Sequence, residues 1–404
     1  MTMPAGLSFR LPRSRGEIIH VLTVTGLLCG MVISLPLWLT GRAFPHLPCA
    51  ALFAPWPAPF DAILTGAVAL LLLAAVLSQG WRTTAAALGG CVLLALQDQM
   101  RWQPWFYQYL LMLAAAAVCR DRRSEAFPVL CRILFVCLYI WSGLHKLTPA
   151  YARMYEATFT APLAEQWPAW AVEMLRLGGP VSPWLEIVLG AALCFRLTRN
   201  AGVIAAMGTH VAVLLLAGPA GTFTNTVIWP WNVVMLAMVP LLFWRVADFG
   251  LRELRTGRHR AAAAVLLLLA GVMPAFSMKE RWDRYLSFHL YSGTERRMMI
   301  AVDDGAAAAL PEDWRQQLQP SQHQPEVKEL HYLAWSLAEL RVPPPGDERL
   351  LLALARKCAA MDFAKRGEVM FYTDFAFQPE KGYDVFTGDE IRRMATIPAL
   401  KRKF

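Results

Sequence analysis

The sequence predicts an all-α polytopic membrane bundle of about nine transmembrane helices, with a small α+β extracytoplasmic C-terminal domain. Three observations predict it. The 404 residues are 56% hydrophobic and 17% charged, with a mean hydropathy of +0.37, too apolar for an ordinary soluble chain. Apolar runs approaching the ~20 residues that a spanning helix needs recur along the first two-thirds. After Phe276 the composition turns mixed and soluble-like. The division is therefore expected between residues 1–277 and residues 278–404.

The spans are read near residues 18–40, 60–78, 83–97, 104–119, 127–147, 184–195, 201–217, 227–245 and 261–276. No A-x-A-like cleavage site follows the first run, so it is read as a retained helix rather than a signal peptide. Arginine placement tests this arrangement. With the N-terminus inside, the inner segments carry Arg10, Arg13, Arg15, Arg82, Arg120, Arg122, Arg123, Arg196, Arg199, Arg245, Arg252, Arg255, Arg258 and Arg260. The outer loops carry Arg42, Arg101, Arg153 and Arg176. This positive-inside bias predicts a multi-pass protein of the cell (inner) membrane, with a cytoplasmic N-terminus and an extracytoplasmic C-terminus. It also accounts for the formal charge of +9 without a nucleic-acid partner.

Between the fifth and sixth spans, residues 150–182 mix Trp167, Trp170, Met174 and Leu177 with charges. Such segments suit amphipathic helices lying on the outer face, where indole rings settle. In the C-terminal part, residues 285–302 read as a hairpin turning at Gly293-Thr294. Pro311 opens a short helix, residues 348–361 form an amphipathic one, and residues 371–377 form another strand. Most of the eight cysteines lie in or beside apolar runs and read as packing residues. The absence of C-x-x-C argues against a zinc site. GxGxxG and GxxxxGK are absent too, so nothing points to a bound nucleotide.

The chemistry concentrates at one depth. Asp98 and Arg101 close the third span on the outer side, and Trp102 and Tyr107 lead into the fourth. His145 and Lys146 end the fifth, and Glu186 sits one turn into the sixth. His210 lies nearer mid-membrane, and Trp231 and Asn232 stand at the outer end of the eighth. Arg132 and Lys146 are 14 residues apart, about 21 Å of helix, which puts the lysine opposite the basic loops. Each residue alone has a bland reading: a snorkelling lysine, an ion pair at an interface, a hydrogen-bonded core histidine. Together they predict a shared outer-leaflet pocket, because ionisable groups inside membranes usually line a cavity or pathway.

The segment Tyr139-Ile-Trp-Ser-Gly-Leu-His-Lys-Leu resembles the one carrying the catalytic lysine of vitamin K-dependent gamma-carboxylases. These define the horizontally transferred transmembrane (HTTM) family. Gln97-Asp98-Gln99-Met100-Arg101-Trp102 with Tyr107-Gln108-Tyr109 is similar to a second family segment. Glu186-Ile-Val-Leu-Gly and His210, with Trp231-Asn232, are similar to a third. The resemblance covers about residues 18–276. It implies Lys146, His145 and His210 as catalytic residues, Lys146 being the base that deprotonates a reduced, vitamin K-type quinone. Asp98, Arg101, Trp102, Tyr107, Glu186, Trp231 and Asn232 are then the substrate-binding set. The family's asparagine–histidine pair is missing, Gln103, Pro104 and Trp105 filling that stretch. The C-terminal part is also too small to match the family's lumenal region, so a lipid-soluble quinol fits better than glutamate carboxylation.

Two classes of function follow. One is a quinol epoxidase-like enzyme using Lys146 as general base. The other is a non-catalytic membrane protein that binds lipid or a partner protein. A transporter is a third reading, but its inverted repeats and broken helices are not seen in the sequence.

Overall fold

The bundle starts at Ser14, whose hydroxyl accepts from Glu17 N while the Glu17 carboxylate accepts from Ser14 N. This reciprocal cap satisfies two of the N–H groups that a helix start leaves unpaired, and it begins the first helix at Arg15, three residues before the apolar run. The computed structural model describes residues 12–218, 221, 225–321 and 327–398. Arg10, one of the inner-side arginines, lies outside them.

The helices are α1 (Arg15–Ile33), α2 (Leu35–Trp38), α3 (Phe60–Ser78), α4 (Trp81–Gln97), α5 (Pro104–Cys119), α6 (Ala126–His145), α7 (Pro149–Tyr155), α8 (Ala161–Leu163), α9 (Ala169–Gly178), α10 (Ser182–Ala192), α11 (Arg199–Leu216), α12 (Ile228–Phe243), α13 (Gly257–Leu266) and α14 (Pro274–Ser277). A π-turn over Leu267–Val272 joins α13 to α14 as one apolar rod. Among the described residues, five helices are long and apolar enough to cross a membrane: α1, α3, α6, α11 and the α13–α14 rod. Helices α5 and α12 are apolar but shorter. The chain is a multi-pass membrane protein of mostly helical architecture.

Helix α6 is the most enclosed of the five, its flanks covered by α5, α10, α12 and the α13–α14 rod. Its contact with α10 is close because two glycines face it. A Cβ on Gly143 would lie 2.5 Å from Pro183 O, and one on Gly190 2.9 Å from Ile140 Cγ1. Small residues at such crossings let helices approach in an apolar solvent, where burial supplies no drive. At the basic end, buried arginines bind the carbonyls that helix C-termini leave free. Arg132 donates to Leu242 O (2.7 Å) and Phe249 O (3.1 Å). Arg199 donates to Leu193 O, Cys194 O and Val246 O.

After α14 the chain forms a five-stranded antiparallel sheet in the order β2-β3-β1-β4-β5. The strands are β1 (Arg296–Val302), β2 (Leu318–Pro320), β3 (Lys328–His331), β4 (Val369–Phe375) and β5 (Tyr383–Thr387). Helices α15 (Asp304–Ala309), α16 (Glu312–Arg315), α17 (Tyr332–Leu340), α18 (Glu348–Ala359) and α19 (Gly388–Arg393) accompany it. In register, β1 runs Met299 against His331 on one side and Tyr372 on the other. The expected hairpin is corrected: β1 pairs with β3 and β4, and Tyr285–Ser287 is a 3-10 turn. Phe288 and Tyr291 take positive φ (56° and 52°), which an extended strand does not tolerate.

The sheet region is tied to the end of the bundle where α6 finishes. Glu339 accepts from Ala43 N and Phe44 N, Gln103 donates to Pro343 O (3.1 Å), and Arg153 donates to Phe377 O (2.6 Å).

Candidate functional site

Three clusters surround the C-terminal half of α6. In the first, Lys146 Nζ donates to Glu186 Oε1 at 2.7 Å, Glu186 Oε2 at 2.9 Å and Ser142 Oγ at 3.0 Å. The side chains of Lys146 and Glu186 are 11% and 12% exposed. Ser142 lies one helical turn before the lysine on α6, and Glu186 faces it from α10. An ammonium has three hydrogens and no lone pair; here each hydrogen has an acceptor. The arrangement surrounds the amine with acceptors from α6 and α10.

The second cluster links α6, α11 and α12. Tyr139 OH lies 2.6 Å from His210 Nε2, and His210 Nδ1 lies 2.8 Å from Asn232 Oδ1. Asn232 Nδ2 donates to Ile228 O (2.8 Å), which fixes its oxygen toward the histidine. An amide oxygen only accepts, so His210 donates from Nδ1, and the Tyr139 hydroxyl partners its Nε2. Both imidazole nitrogens are used. Close by, Trp231 Nε1 donates to Gln108 Oε1 (2.8 Å), joining α12 to α5.

The third cluster sits where the bundle meets the sheet region. His145 points away from its neighbour Lys146. Its Nε2 lies 3.3 Å from Pro274 O and 3.2 Å from Ser277 Oγ. Its ring stacks on Trp141 (5.2 Å) and on His289 (4.2 Å, 12° between planes). Arg284 donates to His289 Nε2 (2.9 Å) and to Ser292 Oγ (3.3 Å). Burial, with Arg284 next in effect, pushes the His289 pKa well below the ordinary histidine value. The ring is therefore neutral at physiological pH.

Asp98, Arg101 and Trp102 build a different place. Asp98 caps the 3-10 turn Gln99–Arg101 through Met100 N, accepts from Leu47 N (3.1 Å), and is ion-paired with Arg42. Arg101 donates to Leu37 O, Trp38 O and Leu94 O, and Trp102 Nε1 to Ala95 O. Among the described residues, Asp98 and Arg101 make no hydrogen bond or ion pair with Lys146, His145, Glu186 or His210. Tyr107 packs on Phe288 and donates to Leu269 O (3.4 Å).

The structure therefore brings Lys146 to Glu186 and His210 to Asn232, and it turns His145 toward the sheet region. Sequence reasoning missed Ser142, Tyr139, Arg284 and His289. Ser142 could have been found from its spacing of four before Lys146, and Tyr139 from its spacing of seven, both on one helix face. His289 could not, because nothing in the sequence links it to α6. Among the described residues, no three His, Cys, Asp or Glu side chains are gathered to hold a metal ion. A surface groove of about 350 Å³ lies elsewhere, between Leu47, Pro48 and Gln99 and the α18 residues Arg356 and Lys357.

A family model described as methylamine utilisation protein MauE matches residues 124–227. This stretch runs from the start of α6 to the start of α12. It contains both partners of the Lys146–Glu186 pair, together with Tyr139 and His210. No curated protein and no solved structure matches the chain. The match overturns the resemblance to the HTTM family and its gamma-carboxylases. The similar segments have local explanations. Asp98 and Arg101 close a loop, and the Ser142–Lys146 stretch is a helix end whose lysine is tied to Glu186.

Proposed function

We propose that this chain is a non-catalytic membrane protein that holds its C-terminal sheet region outside the membrane to bind a partner protein there. The engagement of every Lys146 hydrogen by Glu186 and Ser142 supports this reading most. A general base must reach its substrate's proton, and here the amine is enclosed by three acceptors of the protein itself. His210, with a protein partner at each ring nitrogen, supports it as well. Both clusters join helices, as polar side chains do in bilayers. The arginine asymmetry supports a cytoplasmic N-terminus and an extracytoplasmic sheet region.

The matched family is named for methylamine utilisation, so growth of a deletion strain on methylamine is the first readout. Lys146→Arg and Lys146→Met are returned to that strain. The binding reading expects Lys146→Arg to restore growth, since arginine keeps the ion pair with Glu186, and Lys146→Met to fail through lost protein. A Lys146→Arg protein that inserts at wild-type level yet restores nothing would favour the lysine as a base.

A further inference from the structure

The arginines at the basic end fall into two sets. Arg132 and Arg199 are buried and spent on backbone carbonyls. Those from the end of α12 to the first turn of α13 are not. Arg245, Arg252, Arg258 and Arg260 are exposed, and none has an acidic partner among the described residues. Arg255 pairs with Glu253 in the same loop. Two large apolar side chains flank these cations: Trp244 is 38% exposed and Leu251 58% exposed. Arg245 lies over the Trp244 ring at 5.9 Å, within the reach of about 6 Å for such a contact.

Helix α13 adds to the positive field. Its first turn contains no acid and carries Arg258 and Arg260. Cations at a helix N-terminus oppose the helix dipole, so the arrangement favours an anion from outside the chain. His259, on the same turn, is 7% exposed and lies beside the Glu253 backbone. The patch sits at the end of apolar helices, with an indole and a leucine beside the arginines. A soluble anion would have no use for that apolar rim; a phospholipid would.

We propose that the segment Trp244–Arg260, the α12–α13 loop with the first turn of α13, is a binding site for acidic phospholipid headgroups of the adjacent leaflet, with Trp244 and Leu251 seated at the acyl boundary. Juxtamembrane basic residues attract anionic lipid in this way. The site is separate from the Lys146–Glu186 cluster, so its failure leaves the proposed function standing.

The test uses the full-length protein in neutral detergent. Its thermal midpoint is followed as short-chain phosphatidylglycerol or phosphatidylcholine is added, at low and high salt. Phosphatidylglycerol is expected to raise the midpoint, phosphatidylcholine not, and salt to weaken the effect. Apparent affinity should fall about fivefold per arginine removed in Arg245→Gln, Arg252→Gln, Arg258→Gln and Arg260→Gln combinations. The corresponding Arg→Lys protein should keep most of the effect. Should the quadruple variant fail to insert, Arg258→Gln/Arg260→Gln is compared with wild type by counting phospholipids retained in native mass spectrometry. Equal shifts with both lipids, or an undiminished shift in the variants, overturn the proposal. So does inorganic phosphate reproducing the shift, which would mark a small-anion site only.

Discussion

Lys146 and Glu186 show what a half-sealed ion pair implies for substitution. Removing one partner of such a pair typically costs about 3–5 kcal/mol, because a charge is left without compensation. Glu186→Gln is expected to lower the thermal midpoint in detergent sharply, and Lys146→Met/Glu186→Met to recover much of the loss. If the double variant is no better than the single one, the pair is not what holds α6 to α10. Tyr139→Phe removes a weaker bond: interhelical hydrogen bonds in membranes average roughly 0.6 kcal/mol. Its expected effect is a small drop in midpoint with the same detergent assay, and a large one would mean that His210 needs the hydroxyl to stay buried. At this scale the sequence showed that Lys146, Glu186, His210 and Asn232 lie at related depths. It did not show who bonds whom, because depth follows from counting along a helix whereas partner choice depends on rotation about it. His145 and Lys146 are adjacent in sequence, yet a step of about 100° sends them to different clusters.

Elements were legible where one force dominated. Long apolar runs became helices, and the amphipathic run at residues 348–361 became α18 over Glu348–Ala359. The segment at residues 285–292 misled because its apolar side chains pack against the bundle rather than alternate across a sheet, as Phe288 does on Tyr107. At the α6–α10 crossing, Gly143→Leu should abolish folded protein, since the added side chain meets the Pro183 carbonyl of the facing backbone. Fluorescence size-exclusion chromatography checks it; a monodisperse peak at wild-type height would contradict the packing. The N-terminus of α18 carries a pH dependence. Asp347 is half-buried and accepts from Arg284 N (3.1 Å). Burial, then the nearby Asp283 carboxylate, raises its pKa to about 8. A raised folded-state value stabilises the protonated form, so this contribution is present below about pH 4 and fades as pH climbs toward 8. Unfolding midpoints from pH 5 to 9 should fall more steeply for wild type than for Asp347→Asn.

For the whole molecule, arginine asymmetry is the ground for proposing that the sheet region lies across the membrane from the N-terminus. An alkaline phosphatase fused after Phe404 is expected to be active in cells; a silent, well-expressed fusion would reverse the orientation. The membrane class was legible because composition alone excludes a soluble chain. The number of crossings was less so, since α4 and α10, at 17 and 11 residues, hide among their neighbours. The way the two parts join was not legible at all. It depends on pairs far apart in the chain, such as Arg349 with Gln99 and His145 with His289.

Arg132 also constrains the order in which the chain can be made. Its acceptors, Leu242 O and Phe249 O, are synthesised more than a hundred residues later. Until the ribosome has delivered them, the guanidinium in the second turn of α6 has only Glu125, two turns earlier at the helix start, to answer its charge. Helix α6 is therefore expected to wait near the membrane surface, or within the insertion machinery, for α12. Chains truncated before residue 242 should be retained there and degraded, whereas chains released after residue 250 contain both carbonyls that Arg132 needs.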